Sequence, residues 1–350
     1  SNYSLDWHNA VEELPAGIYN TCNGVCINRN FAEWIRLGEA TNTATVEVHN
    51  VTQAQAYAGV NKDGYFFDPL TTDINGDIVT VTREVAETRL GPVVHETDAY
   101  VFVVRSAPLD AWRHYEGFYH LWRARSREQY ERVLDRQLMF MSNFTYADTD
   151  GNILYRWNAQ LPRRANPALD VSLDVDGADE GARWRGLHEA RELPRLLNPK
   201  GGYVQNANNA PWRTSLTDRL DPARYPPYVE REPLALRPQV ILEHLASKDR
   251  WSPQDVLDAK HDTRVLAAER VLPHLFAAAE RAGEPSADLA EALRVLRAWD
   301  RRVSADSRGA VLFQRFWDLY RQGREQPFAE PFDEARPLAT PRGLADATAA

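Results

Sequence analysis

Four primary amides stand within five consecutive positions in the stretch NPKGGYVQNANNAPW, residues 198–212. The four are Gln205, Asn206, Asn208 and Asn209. Amides form strands poorly and are costly to bury without partners, so a solvated loop is one interpretation. The apolar YVQ and APW segments on either side favour another, in which a strand ends against Tyr203 and Trp212. A side-chain amide there could donate a hydrogen bond to a reacting group.

The first residue, Ser1, is a second candidate for chemistry. A serine at a free N-terminus carries its own base, because its α-amino group has an unperturbed pKa of about 8 and can accept the hydroxyl proton. Such a nucleophile needs a donor for the oxyanion of the tetrahedral intermediate, and losing one donor typically lowers the rate by about 10²–10³. An asparagine amide can be that donor. Alternatively, Ser1-Asn2 is merely the start of a fragment or a remnant of expression, since no initiator methionine precedes it.

The bulk properties of the sequence exclude several function classes. A net charge of −9 and a pI near 5.6 argue against nucleic-acid and anionic-membrane partners. No apolar run approaches the roughly 18 residues of a membrane span, and the first residues lack the features of a signal peptide. The histidines lack zinc-site spacing, and no phosphate loop or G-x-S-x-G motif occurs. We therefore predict no metal and no cofactor.

The hydrophobic pattern changes near residue 232. Residues 1–232 are predicted to be mainly β, with one amphipathic helix near 108–139 and a hairpin turn at Asp150-Gly151. Residues 233–322 have the apolar spacing of helices. In this region Ser252-Pro253-Gln254-Asp255 has the composition of a helix start. Residues 323–350 read as an extended, Pro-rich tail without an obvious closing element.

Several segments resemble the penicillin acylase family of N-terminal-nucleophile hydrolases, which includes cephalosporin acylases and acyl-homoserine-lactone acylases. The resemblance runs from roughly residue 85 to residue 344. It rests on the segments YADTDGNILYRWNAQLPRR, RWRGLHEARELPRLLNPKGGYVQNANNAPW, AWDRR, LFQRFWDLY and PFDEARPLATPRGL, in this order. The last segment looks closest to the cephalosporin and homoserine-lactone acylase branch.

The resemblance implies an α+β fold, the αββα sandwich of antiparallel sheets, carrying a helical region. It also implies a precursor that cleaves itself to free a β-chain beginning with Ser-Asn, so the chain is expected to be a partial β-chain with Ser1 as nucleophile. The family's oxyanion donor is the second Asn of an N-x-N-[ND] loop, which is Asn208 here. An arginine at the start of the following helix supports it, and Arg237 matches by position. The remaining amides would hydrogen-bond the loop into shape.

The resemblance further implies a small N-acyl substrate, such as a β-lactam side chain or an acyl-homoserine lactone, and an α-chain partner from the same precursor. It implies a periplasmic or secreted protein with a role in antibiotic biosynthesis or quorum quenching. Two family features are not recognisable: the small-residue turn that gives a second oxyanion donor, around residues 35–44, and the calcium-binding acids, at TNTATVEVHN.

Two functions stay open on the sequence alone. One is an amide hydrolase that forms an acyl-enzyme on Ser1. The other is a non-catalytic or incomplete acylase homologue that only binds acyl or aromatic ligands. They differ in whether acetylation or substitution of Ser1 removes an activity.

Overall fold

The computed structural model describes residues 32–38, 46–52, 82–107, 113–139, 141–171 and 174–346. Its strands are β1 (Ala32–Gly38), β2 (Val46–Thr52), β3 (Thr82–Thr88), β4 (Gly91–Glu96), β5 (Tyr100–Ser106), β6 (Met141–Ala147), β7 (Ile153–Ala159), β8 (Pro162–Arg164), β9 (Val175–Asp176), β10 (Trp184–Leu187) and β11 (Arg195–Leu197). Its α-helices are α1 (His114–Arg123), α2 (Arg127–Asp135), α3 (Leu236–Ala246), α4 (Pro253–Lys260), α5 (Leu266–Ala282), α6 (Ala287–Ala298) and α7 (Arg308–Arg321).

The largest sheet has six strands in the order β2-β3-β4-β5-β1-β9. Neighbouring strands in this sheet run antiparallel to each other, except β1 and β9, which run parallel. Alternating valines in β5 favour a strand, and Val103 is fully buried against Val175 and Ala182. Two smaller sheets follow, one of β11-β7-β6 and one of β10-β8. Antiparallel sheets together with helices confirm the α+β class.

The turn between β3 and β4 requires a glycine. Gly91 has a φ of +148°, and a Cβ atom at this position would lie 1.9 Å from the carbonyl oxygen of Val104. The Thr88 hydroxyl closes the same turn by donating to the Gly91 carbonyl oxygen at 3.0 Å. The absence of a side chain thus lets β4 approach β5 closely.

The segment after the six-stranded sheet forms two helices, which corrects the prediction of one helix near 108–139. Ala124 has extended backbone and ends α1. Two residues later the Ser126 hydroxyl accepts the Gln129 N–H at 3.3 Å and caps the start of α2. The two helices bury an apolar cluster that includes Leu134 and Met139.

The turn predicted at Asp150-Gly151 is confirmed between β6 and β7. Gly151 has a φ of +85°, and its N–H donates to the carbonyl oxygen of Asp148 at 3.2 Å. The Asp148 carboxylate accepts the Asn152 N–H at 2.8 Å, so the acid of this turn closes a hairpin.

By their contacts, the described residues group into two compact units, one formed within 32–144 together with 156–195 and 222–230, and one formed by 145–155 with 196–221 and 231–346. This division differs from the predicted one at 232, because the segments 145–155 and 196–221 group with the helical region that follows them.

In the helical region, α5, α6 and α7 build an apolar core. The core residues are Ala268, Val271, Leu272, Leu275, Leu296, Phe313, Tyr320 and Leu344. Leu344 belongs to the segment predicted as an extended tail, and the Asp346 N–H donates to the Tyr320 hydroxyl at 3.0 Å. The described part of this segment therefore packs on the helices. No helix among the described residues combines the length and apolarity needed to cross a bilayer.

The predicted start of α4 is confirmed, and it contains a capping box. The Ser252 hydroxyl accepts the Asp255 N–H at 3.1 Å, while the Asp255 carboxylate accepts the Ser252 N–H at 2.8 Å. The Lys248 ammonium group lies 2.6 Å from Asp255 Oδ1. The hydrogen bond from Lys248, followed by those from Ser252, lowers the pKa of the Asp255 carboxyl from 3.8 to about 2.

We expect Lys248→Met to raise the pKa of Asp255 towards 3.8, measured by a ¹³C NMR titration of its carboxyl group. Because the folded pKa lies below the unfolded one, the contribution of Asp255 to stability is present above about pH 4 and is lost as the pH falls towards 2. Lys260→Met is the matched control. Lys260 lies on the same helix as Asp255 and makes no ion pair among the described residues. An equal shift in both variants would show that general charge, rather than the Lys248 contact, sets this pKa.

Candidate active site

Of the three predicted catalytic residues, Asn208 and Arg237 lie in the described part of the chain and Ser1 lies outside it. Residues 39–45, within the region to which the family resemblance assigns a second oxyanion donor and calcium ligands, also lie outside it. Among the described residues, no group of three or more His, Cys, Asp or Glu side chains is arranged to hold a metal ion. The role of Ser1 stays a prediction.

The amide-rich stretch is a loop without a strand leading into it. Residues 203–205 pair with no strand among the described residues, which corrects the interpretation that a strand ends there. The loop is instead closed at its base by Gln205, which is 5% exposed. Its backbone N–H donates to the Thr214 carbonyl oxygen at 2.9 Å, and its side-chain Nε2 donates to the Arg213 carbonyl oxygen at 2.9 Å. The residues of YVQ are apolar and β-prone, but they form no strand because no strand among the described residues pairs with them.

Inside the loop, Asn206 and Asn209 hold the backbone in place. Asn206 Oδ1 accepts the Asn208 N–H at 2.8 Å, and its Nδ2 donates to the Asn209 carbonyl oxygen at 2.9 Å. Asn209 Oδ1 accepts the Ala207 N–H at 3.0 Å. Asparagine side chains often stabilise turns by such local bonds to the backbone. The prediction that the other amides shape the loop is confirmed.

Asn208 stands at the exposed tip of this loop, with a φ of +62°. Asparagine tolerates this left-handed conformation better than most residues. The Arg237 guanidinium donates from Nη2 to Asn208 Oδ1 at 3.0 Å, and also to the Ala207 carbonyl oxygen. Arg237 is the second residue of α3, as the family pattern predicts.

The contact with Arg237 determines which end of the Asn208 amide is available. A guanidinium group only donates hydrogen bonds, so it faces the amide oxygen and leaves Nδ2 directed elsewhere. Among the described residues, Nδ2 of Asn208 has no acceptor. The neighbouring positive charge also polarises the amide and strengthens Nδ2 as a donor. This arrangement suits a ligand oxygen that carries negative charge.

Aromatic side chains flank the loop on both sides, as the sequence indicated. The Tyr203 hydroxyl accepts the Leu216 N–H at 3.2 Å. Trp212 is 9% exposed, and the Arg231 guanidinium lies 5.0 Å from the centre of its ring. Sequence reasoning missed Arg213 and Arg231, because no local pattern around either residue distinguishes it from a surface arginine.

The loop supplies donors and no base. Residues 203–213 contain no Asp, Glu or His, so nothing in the loop itself can take a proton from a nucleophile at neutral pH. In an acyl-transfer reaction this loop can stabilise developing charge on oxygen. The nucleophile and its base must come from another segment.

Residues 38–346 match the family model described as penicillin amidase. The chain belongs to the penicillin amidase family. Relatives include an acyl-homoserine lactone acylase PvdQ from Pseudomonas putida, 28% identical over 298 residues, covering 77% of this chain and 38% of that protein. Another is penicillin acylase 2 proenzyme from Pseudomonas sp., 31% identical over 211 residues, covering 57% of this chain and 25% of that protein.

A thermostable penicillin G acylase from Alcaligenes faecalis has a similar solved structure, with a TM-score of 0.58 and 19% identity. The similarity covers 88% of this chain and 53% of that one, and it shows a shared fold. The predicted family and fold class are thereby confirmed. This chain spans 38% of the length of each of the first acyl-homoserine lactone acylases that it matches.

The left-handed backbone at Asn208 gives a prediction about stability. We expect Asn208→Ala to be less stable than Asn208→Gly by about 1–2 kcal/mol, because both variants lose the side chain and only alanine is strained at this φ. Urea denaturation of the two variants measures the difference. Equal stabilities would mean that the loop leaves this conformation once the side chain is absent.

Proposed function

We propose that this protein is an amide hydrolase that cleaves N-acyl compounds. The observation that carries the proposal is the Asn208 amide, whose oxygen is bound by Arg237 and whose Nδ2 is left to donate to a developing oxyanion. The names of the relatives, acyl-homoserine lactone acylase and penicillin acylase, support the same reaction class.

In the proposed mechanism, the Ser1 hydroxyl oxygen attacks the acyl carbonyl carbon while the Ser1 α-amino group takes its proton. Asn208 Nδ2 donates to the oxygen that becomes negative in the tetrahedral intermediate. The carbon–nitrogen bond then breaks, and the leaving amine receives the proton. Water then attacks the resulting serine ester while the α-amino group accepts its proton. The bond between the acyl carbon and the serine oxygen breaks, the α-amino group returns the proton to that oxygen, and the carboxylic acid is released. Arg237 contacts no reacting atom and acts by orienting Asn208.

The proposed substrate carries an acyl group on nitrogen, as a β-lactam side chain or an acyl-homoserine lactone does. We extend the proposal to an α-chain partner from the same precursor, to self-cleavage that exposes Ser1, and to a periplasmic or secreted location. The reaction as proposed uses no cofactor. These parts rest on the family resemblance and on the names of the relatives.

The first test concerns the oxyanion donor. We expect Asn208→Gly to lower kcat on an N-acyl substrate by about 10²–10³ with little change in KM, since the lost hydrogen bond forms in the transition state. We expect Arg237→Met to lower kcat by about 10-fold or more, because Asn208 loses its orientation.

Arg308→Met is the matched control for Arg237→Met. Arg308 also stands in the first turn of a helix, and its ion pair with Glu291 is a loose one at 3.9 Å. Activity of Asn208→Gly equal to that of the unaltered protein would overturn the assignment of the oxyanion donor.

The second test concerns the nucleophile. We expect phenylmethylsulfonyl fluoride to form one covalent adduct, which intact mass and peptide mapping place on Ser1. N-terminal acetylation should abolish the adduct, because it removes the base that activates the hydroxyl. Folded protein that forms no adduct would favour the alternative of a binding homologue without catalysis.

A further inference from the structure

The base of the amide loop depends on a buried arginine. The carbonyl oxygen of Arg213 accepts the side-chain amide of Gln205 at 2.9 Å, and the next residue, Thr214, accepts the Gln205 backbone N–H. The Arg213 side chain is only 6% exposed. Burial lowers the pKa of this guanidinium, and the charge of Glu334 opposes the shift. Burying a guanidinium group without a counter-ion costs free energy. The position of the Arg213 side chain therefore depends on its ion-pair partner.

Glu334 is that partner, 121 residues further along the chain. Arg213 Nη2 lies 2.5 Å from Glu334 Oε2 and 3.3 Å from the Glu334 carbonyl oxygen. The guanidinium carbon also lies 5.5 Å from the centre of the Phe332 ring. Both contacts come from one short segment, which therefore fixes the guanidinium on two sides.

The segment around Glu334 has its own anchors, independent of the loop. Thr340 is fully buried, and its hydroxyl accepts the Asp333 N–H at 2.8 Å. Arg270, on α5, donates to the carbonyl oxygens of Leu338 at 2.6 Å and Pro341 at 3.1 Å. Because helix α5 holds this segment, the Glu334 backbone has a fixed position, and from it the 81% exposed Glu334 side chain reaches Arg213.

We propose that Glu334 is a positioning residue for Asn208. By holding Arg213, it fixes the carbonyl group that Gln205 binds, and so the base of the loop whose tip presents the Asn208 amide. Glu334 touches neither substrate nor reacting atoms. Its effect on catalysis rests on the function proposed above, whereas its effect on the loop does not.

The activity test compares Glu334→Ala with Glu325→Ala. Glu325 is exposed and makes no ion pair among the described residues, so its substitution removes the same charge without the contact. We expect Glu334→Ala to lower kcat on an N-acyl substrate by about 10-fold, with KM changed by less than about 2-fold. Glu334→Gln keeps an oxygen that can accept from Arg213 and should recover much of the loss. Glu325→Ala should behave as the unaltered protein.

The second readout is hydrogen exchange, which needs no activity. We expect Glu334→Ala to accelerate exchange of the Gln205 backbone N–H by about 10-fold or more, because the acceptor at Thr214 is no longer held. Exchange of the Ile153 N–H, which donates to Asn198 Oδ1 at 2.7 Å, should be unchanged. If Glu334→Ala does not fold, exchange of the Gln205 backbone N–H is measured in Glu334→Gln instead, where we expect a smaller acceleration.

The two readouts separate the two proposals. Faster exchange at Gln205 together with a lower kcat supports the positioning role. Faster exchange in a protein whose unaltered form has no amidase activity supports the positioning of the loop and overturns the proposed function. Unchanged exchange at Gln205 overturns the positioning role, whether or not kcat falls.

Discussion

The hydrogen bond from Arg237 to the oxygen of Asn208 is the interaction on which the candidate site depends. A carboxamide carries an acceptor at one end and donors at the other, and in isolation it can turn either end towards a ligand. Facing Asn208 Nδ2 towards Arg237 would place two donors against each other. The guanidinium therefore selects one orientation, and its charge strengthens the exposed donor. An asparagine alone would provide the group without fixing its direction.

The same constraint explains how an irregular loop keeps one shape. Gln205 is almost fully buried at the base, where an unpaired amide would be costly because the surroundings are less polar than water. Its backbone N–H and its side-chain Nε2 donate to the carbonyl oxygens of Thr214 and Arg213, respectively, while its buried Oε1 has no partner among the described residues. Asn206 and Asn209 engage backbone groups that would otherwise lack partners. Any other backbone path would break several of these bonds together, so the loop is specified by its polar pairing.

Features set by neighbours in sequence could be predicted, and features set by distant partners could not. The residues Ser252-Pro253-Gln254-Asp255 themselves make the contacts that start α4. The residues around Gly151 likewise make the contacts of the β6–β7 turn. The break between α1 and α2 carried a readable signal as well, since Ser126 precedes Gln129 by three residues in the pattern of a helix start. The prediction of one helix near 108–139 did not use this signal.

The contacts that build the site lie beyond such local patterns. Asn208 and Arg237 are 29 residues apart, and their pairing came from the family resemblance, since no periodicity relates a loop tip to a helix start. The segment YVQ was read as a strand from its composition, but strand formation depends on an edge to pair with, which composition does not encode. Arg213 and Glu334 are 121 residues apart, and the sequence around neither residue predicts their contact.

Arginine is what allows this loop-rich unit to satisfy its backbone. The sequence has 41 basic residues, of which 37 are arginines. In irregular segments the carbonyl oxygens have no ladder partner and must find donors elsewhere. Arg237 reaches the carbonyl of Ala207, Arg270 reaches those of Leu338 and Pro341, and Arg213 reaches that of Glu334.

A guanidinium group offers five donors in a rigid plane, so one side chain can bind a carbonyl oxygen and a second acceptor at the same time. Lysine would keep the charge, but its ammonium is a compact point charge that holds water strongly and does not fix the geometry of two acceptors. The orientation of Asn208 and the position of the loop beneath it therefore depend on the shape of arginine as well as on its charge. This is the physical reason why a loop without regular secondary structure can hold an oxyanion donor in place.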